Sequence, residues 1–198
     1  MGFACTKAEK QTYAINSPED INEFAKEQKE NTNLNYSKKI KEVNYNLNYI
    51  SNEQMALKQV NDISTLNQAQ FDSIVHNYDS LLFFNLEISI DNFNDDLLKY
   101  KLEGDIEFNY SQLVEYYAFK MQKDINLVQN ERDTIPCVLY HYERNYGISP
   151  NTNIMLGFKP TSLKNTVFVY ENKHLKTGTI KFAIQEKEIV NHPHIKIG

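Results

Sequence analysis

From Glu42 to Tyr49 the chain alternates without exception: Val43, Tyr45, Leu47 and Tyr49 are apolar, while Glu42, Asn44, Asn46 and Asn48 are polar. Successive side chains of a strand point to opposite faces, so a period of two describes a strand with one face on a core and the other in water. The pattern predicts a half-buried strand over Lys39 to Ile50. A second alternation follows, with Leu82, Phe84, Leu86, Ile88 and Ile90 on one face of a strand spanning Leu81 to Asp91. The asparagine ladder opposite Val43 to Tyr49 has two readings: a face that holds a sugar or peptide, or an ordinary solvated surface.

Between and around these strands the period changes. Ser17-Pro18-Glu19-Asp20 combines a capping serine, a proline in the first turn and acids at the positive end of the dipole, which predicts a helix running to about Asn31. Ser51-Asn52-Glu53-Gln54 is a capping box opening a short helix to about Val60. Thr65-Leu66-Asn67-Gln68 opens another, and Leu97 to Leu102 reads as a further strand or a loop. From Asn109 to about Val128, Leu113, Val114, Tyr117, Met121 and Ile125 form one stripe, the signature of the longest helix.

The C-terminal half is mostly strand. Ile135 to Glu143 carries Pro136 near its start, where a missing ladder donor is tolerated. Ile154 to Phe158 is a strand, and Thr166 to Tyr170 with Thr179 to Ile184 make a hairpin. Strands and helices follow one another without regular βαβ spacing, so the fold class is α+β, with a mainly antiparallel sheet packed against a few helices. The expected organisation is a polar tether over residues 1–17, one domain over 18–190 and a C-terminal tail over 191–198.

Thirteen Tyr and eleven Phe without Trp place much of the apolar surface on aromatic rings, enough for a real core. The net charge of −5 argues against a nucleic-acid partner, which usually meets a concentrated basic surface. The densest basic cluster, Lys38-Lys39-Ile40-Lys41, runs straight into Glu42 and suits a solvated strand edge. No apolar run approaches the roughly 20 residues of a membrane-spanning helix, and no complete signal peptide is present.

Reactive side chains are densest between Cys137 and Glu143. On one extended strand Cys137, Leu139, His141 and Glu143 share a face. His141 and Glu143 are then about 7 Å apart at Cα, close enough for an imidazole–carboxylate pair. Cys137 is about 13 Å from His141, too far for a thiolate–imidazole couple unless a bulge intervenes. His141 and Glu143 are therefore the only catalytic candidates, and a structural polar cluster is the competing reading. His192-Pro193-His194 brings two imidazoles, short of a metal site without a carboxylate partner, and its place in the last residues suggests a frayed tail. The chain has no P-loop, glycine-rich dinucleotide fingerprint, Gly-x-Ser-x-Gly elbow or His-Glu-x-x-His. The expectation is no cofactor and no metal, and nothing nominates an enzyme.

The two cysteines differ in setting. Cys137 sits in an apolar strand, as a buried free cysteine does. Cys5 sits in the polar N-terminal segment, and three readings stay open. Gly2-Phe3-Ala4-Cys5 is the stub of a lipobox, with a small residue before the cysteine and a polar tether after it. Met1-Gly2 with Thr6 fits an N-myristoylation motif, with Cys5 free to take a second acyl chain. The third reading is an exposed thiol without a role.

The Gly-Phe-Ala-Cys stub, the tail-plus-domain layout and the Asn/Lys/Tyr-rich composition resemble small lipoproteins of Bacteroidota-type bacteria. The resemblance implies lipidation at Cys5, a location at the outer membrane or cell surface, and a protein partner in the envelope. The expected function is a lipid-anchored binding or accessory protein, a subunit or partner of an outer-membrane complex. Two alternatives compete with it: a soluble hydrolase-like enzyme using His141 and Glu143, and a cytoplasmic inhibitor or immunity-type binding protein.

Overall fold

The computed structural model describes residues 12–31, 33–101, 108–146 and 148–198. Cys5 and most of the expected tether lie outside them. The fold is α+β, built on one antiparallel eight-stranded sheet.

The chain enters through β1 (Thr12–Ile15) and helix α1 (Pro18–Glu30). Ser17 and Asp20 form a reciprocal capping box at the start of α1. Strands β2 (Asn35–Ile40) and β3 (Val43–Ile50) then form a hairpin. The single strand expected from Lys39 to Ile50 is thus two strands, because Lys41 turns the chain with φ of +54°. That left-handed conformation usually goes to Gly, Asn or Asp, so a lysine there leaves no marker of the turn.

Helices α2 (Asn52–Leu57) and α3 (Gln68–His76) start at capping boxes on Ser51 and Asn67. Strand β4 (Leu82–Ile90) follows, and a single 3₁₀ turn over Leu97–Lys99 replaces the expected strand or loop. Leu102, its predicted end, lies outside the described residues. The long helix anticipated to Val128 is shorter and irregular. It begins as α4 (Tyr110–Glu115), widens into a π turn over Tyr116–Lys120, tightens into a 3₁₀ turn over Met121–Asp124 and stops. Ile125–Gln129 is strand β5, with Ile125 and Leu127 facing the core.

Strands β6 (Asp133–Glu143), β7 (Thr152–Phe158), β8 (Thr166–Asn172) and β9 (Gly178–Ala183) complete the sheet in the order β2-β3-β4-β7-β6-β5-β8-β9. Strand β6 is the corner: Asp133–Pro136 pairs with β5, and Cys137–Glu143 pairs with β7. Between them the register shifts, with Cys137 opposite Phe158 and Leu139 opposite Gly157, so Val138 is a bulged residue. The bend folds the two halves of the sheet over one core.

That core takes Tyr45 and Leu47 from β3, Phe84 and Leu86 from β4, Phe158 from β7, Phe168 and Tyr170 from β8, and Leu113, Tyr117 and Met121 from the irregular helix. Phe84, Phe158 and Phe168 meet edge to face or tilted, with ring centroids 6.2–6.4 Å apart. The outer strands curl back toward each other: Tyr36 of β2 packs on Phe182 of β9, and its hydroxyl accepts from the Gln185 amide at 3.1 Å.

A smaller core lies outside the sheet, where β1, α1, α2 and α3 gather Ile15, Phe24, Ala56, Leu57 and Phe71. The last element, β10 (His194–Ile197), follows the short helix α5 (Glu186–Val190). It pairs in parallel with β1, and Ile195 and Ile197 enter this core. Residues 194–197 are therefore an ordered strand rather than a tail, and Thr12–Ile15 is strand rather than tether. Among the described residues no helix is long and apolar enough to cross a membrane.

Candidate functional site

The polar face of β3 opens a groove. The sheet register aligns Asn48, Asn85, Met155 and His141 in one row across β3, β4, β7 and β6. The next row is Asn46, Glu87, Asn153 and Glu143. Because Tyr45, Leu47, Phe84, Leu86, Ile154 and Leu156 fill the opposite face, these polar side chains all stand on the outer one. They brace one another: Asn85 donates to the Asn153 side-chain oxygen at 3.1 Å, and Asn46 donates to Glu87 at 3.3 Å.

Helices α1 and α2 wall this surface. One hollow of about 380 Å³ lies between Met55, Lys58, Tyr78, Met155, His141 and Glu143. Another of about 350 Å³ lies between Ala25, Gln28, Lys29, Asn48 and Glu87. The two share Ile50, Lys58, Asn85 and Asn153, so together they form one groove. Amide side chains donate and accept at once, and Ile50, Met55, Tyr78 and Met155 add apolar contact. That combination suits an extended peptide or a polyhydroxylated ligand.

His141 and Glu143 both line the groove, but no hydrogen bond or ion pair joins them. The bulge at Val138 separates Cys137 from the face it was expected to share. Cys137 packs in the main core beside the residues of β7, while Leu139 packs on the outer face with Phe83 and Met155. Burial pushes the Cys137 thiol up to about 11, so it stays protonated at neutral pH and serves as a small buried hydrophobe.

A second constellation forms at the rim, where the chain ends meet. Glu53 lies in the first turn of α2 and is buried. Its two carboxylate oxygens each meet an imidazole: Oε2 is 2.9 Å from Nε2 of His192, and Oε1 is 2.8 Å from Nδ1 of His194. His192 Nδ1 donates to the Ile189 carbonyl at 2.6 Å, and the ring stands edge-on to Tyr49. Burial alone would raise the Glu53 carboxyl; the hydrogen bond and charge of His192, with the hydrogen bond of His194, outweigh it and hold the group at about 2.

The carboxylate that the sequence did not specify for His192 and His194 is thus Glu53, 139 and 141 residues away along the chain. No local spacing could have announced it. The one available signal was the His-Pro-His triplet itself.

No family model matches this sequence, and no curated protein matches it. Two solved structures share part of its backbone path. One is a DUF4426 family protein from Pseudomonas aeruginosa PAO1, 7% identical, with a TM-score of 0.37 over 75% of this chain and 90% of that one. The other is a novel protein of unknown function from Burkholderia pseudomallei K96243, 10% identical, with a TM-score of 0.36 over 88% and 95% of the two chains. Likeness of this degree carries no functional argument.

Proposed function

We propose that this chain is a binding or accessory protein of the cell envelope, held at a membrane by acylation of Cys5 and engaging a protein partner through the groove on its outer sheet face. The observation that carries the binding reading is the pair of polar rows across four strands, walled by α1 and α2 and bordered by Met55, Tyr78 and Met155. A flat solvated sheet face needs no such walls. The two rows lie two residues apart along each strand, about 6.8 Å, the interval at which an extended peptide presents side chains on one face.

The anchor reading rests on the Gly-Phe-Ala-Cys stub. Thr12, the first residue of β1, is seven residues after Cys5. Seven residues span at most about 25 Å, which would keep the β1–β10 end of the domain close to the lipid headgroups. A partner in the same membrane is then within reach of the groove.

Replacing both Asn85 and Asn153 with arginine fills the shared floor of the groove with charge while leaving the core face of β4 and β7 untouched. The expected result is a roughly tenfold or greater loss of partner co-purified with the full acylated chain from host membranes, with cooperative unfolding retained and only a small fall in melting temperature from the lost Asn85–Asn153 hydrogen bond. Undiminished recovery with the doubly substituted protein would remove the groove from the account. His141→Ala tests the hydrolase alternative: an enzyme of this site would lose turnover of a model ester or amide, whereas the binding reading expects no such turnover from the parent chain or the variant.

A further inference from the structure

We propose that Glu53, His192 and His194 form a binding site for one divalent transition-metal ion of the zinc class, which fastens the C-terminal strand to the start of α2. The site is separate from the groove and from the anchor. Its three donor atoms, one carboxylate oxygen and two imidazole nitrogens, all lie within 4.8 Å of one another.

The hydrogen bonds of His192 supply a second argument beside this geometry. Its Nδ1 faces the Ile189 carbonyl, which can only accept, so that nitrogen carries a proton. Its Nε2 faces Glu53 Oε2, also an acceptor, at 2.9 Å. A neutral imidazole would aim its lone pair at a carboxylate oxygen. Two species relieve that opposition: a second proton, or a cation bound to both atoms. A histidine that gives one N–H to a backbone carbonyl and its other nitrogen to a metal is the usual arrangement of a ligating imidazole.

The donor set selects the kind of ion. Two imidazoles and one carboxylate suit Zn²⁺ and its first-row neighbours, whereas Ca²⁺ and Mg²⁺ prefer all-oxygen shells. Tetrahedral bonds of about 2.0–2.1 Å place ligand atoms roughly 3.3 Å apart. Each imidazole now meets a different oxygen of Glu53, at 2.9 and 2.8 Å, and one donor atom from each residue lies within 4.8 Å of the others, so side-chain rotations would bring the three to that spacing. The His194 side chain is 45% exposed, against 16% for His192 and 11% for Glu53, so solvent can supply a fourth ligand on its side.

The supports on each side are already in place. Glu53 is fixed by the capping box of α2, and His194 by the pairing of β10 with β1 opposite Thr12. Pro193 fixes one backbone torsion between the two imidazoles. A bound ion would therefore join the start of α2 to the short stretch between α5 and β10, 139 to 141 residues further along the chain.

The test uses the full chain, stripped with chelator and titrated with ZnCl₂ by calorimetry and with Co²⁺ by visible absorption. The expected result is one ion per chain, a rise in melting temperature on adding zinc, and a four-coordinate Co²⁺ spectrum. In the unaltered protein, zinc is expected to shift the ¹⁵N imidazole signals of His192 and His194 and to leave those of His76 and His141 in place. His194→Ala, chosen because that side chain is half exposed, should weaken binding at least tenfold. Absence of stoichiometric binding would overturn the proposal and leave a protonated His–Glu–His cluster. Binding that leaves the His192 and His194 signals unmoved would overturn it equally.

Discussion

Tyr117→Ala is expected to lower the unfolding free energy by about 3–5 kcal/mol, the range for removing a large aromatic side chain from a closed core. Tyr117 is fully buried where the irregular helix crosses the concave face of the sheet. Its ring meets Tyr116 and His174 edge to face at 5.5 and 5.6 Å, and its hydroxyl hydrogen-bonds His174 Nδ1 at 3.1 Å. Truncation therefore opens a cavity among the rings of Tyr116, of Tyr142 on β6 and of His174 just beyond β8, which are held by separate elements and cannot collapse into it. Against a total stability of about 5–15 kcal/mol, this is a large fraction.

Urea denaturation measures the effect as a fall in midpoint of about 1–3 M with the slope unchanged. Phe119→Ala is the internal comparison. Phe119 lies two residues further along the same π turn but is 75% exposed, so its loss should stay within about 0.5 kcal/mol. Equal effects at the two positions would contradict the placement of the helix.

Gly157→Ala should also destabilise, despite a general tendency in the other direction. Glycine is entropically costly in a strand, so alanine would ordinarily gain about 0.5–1 kcal/mol. Here the added Cβ would lie 2.9 Å from the Leu139 Cβ and 3.4 Å from the Phe83 ring. The nearer atom is attached directly to the backbone of β6, just beyond the bulge, and no rotamer change moves it away. Overpacking of this kind costs about 1–3 kcal/mol and outweighs the entropic gain.

A double-mutant cycle isolates the cause. Leu139→Gly removes the clashing atom and should couple to Gly157→Ala by at least about 0.5 kcal/mol, whereas Leu139→Ala retains the atom and should not. A neutral or stabilising Gly157→Ala would mean that β6 and β7 are not held as closely as the bulged register requires.

The elements legible in the sequence are those whose signals are local. Ser17 with Asp20 and Ser51 with Gln54 sit three residues apart and cap the helices they announce. The alternation of Leu82 to Ile90 becomes β4 with every apolar member buried. The elements that escaped depend on longer-range partners or on turns lacking their usual residues. Strand β2 was merged with β3 because Lys41 makes the turn. Strand β5 was absorbed into the helix because Ile125 continues the Leu113–Tyr117–Met121 stripe at a spacing of four; the pairing with β6 and β8 decides in favour of strand.

The candidate sites divide in the same way. Asn44, Asn46 and Asn48 were visible as a polar face, and His141 and Glu143 as neighbours two residues apart. That Asn48, His141 and Glu143 line one groove follows from cross-strand register, which a single chain pattern does not contain. The bulge at Val138, which moves Cys137 to the other face, has Pro136 two residues before it, a proline that reads equally as the start of a strand. The Glu53–His192–His194 cluster requires β10 to fold back onto β1, and a four-residue strand of His194 to Ile197 is too short for its alternation to stand out.

The most direct measurement on the envelope reading is the intact mass of the native gene product, extracted from membranes of its own host and mapped to the peptide carrying Cys5. The account predicts a diacyl or triacyl addition on Cys5 and recovery of the protein in the membrane fraction. An unmodified Cys5 on a chain recovered in the soluble fraction would contradict the anchor.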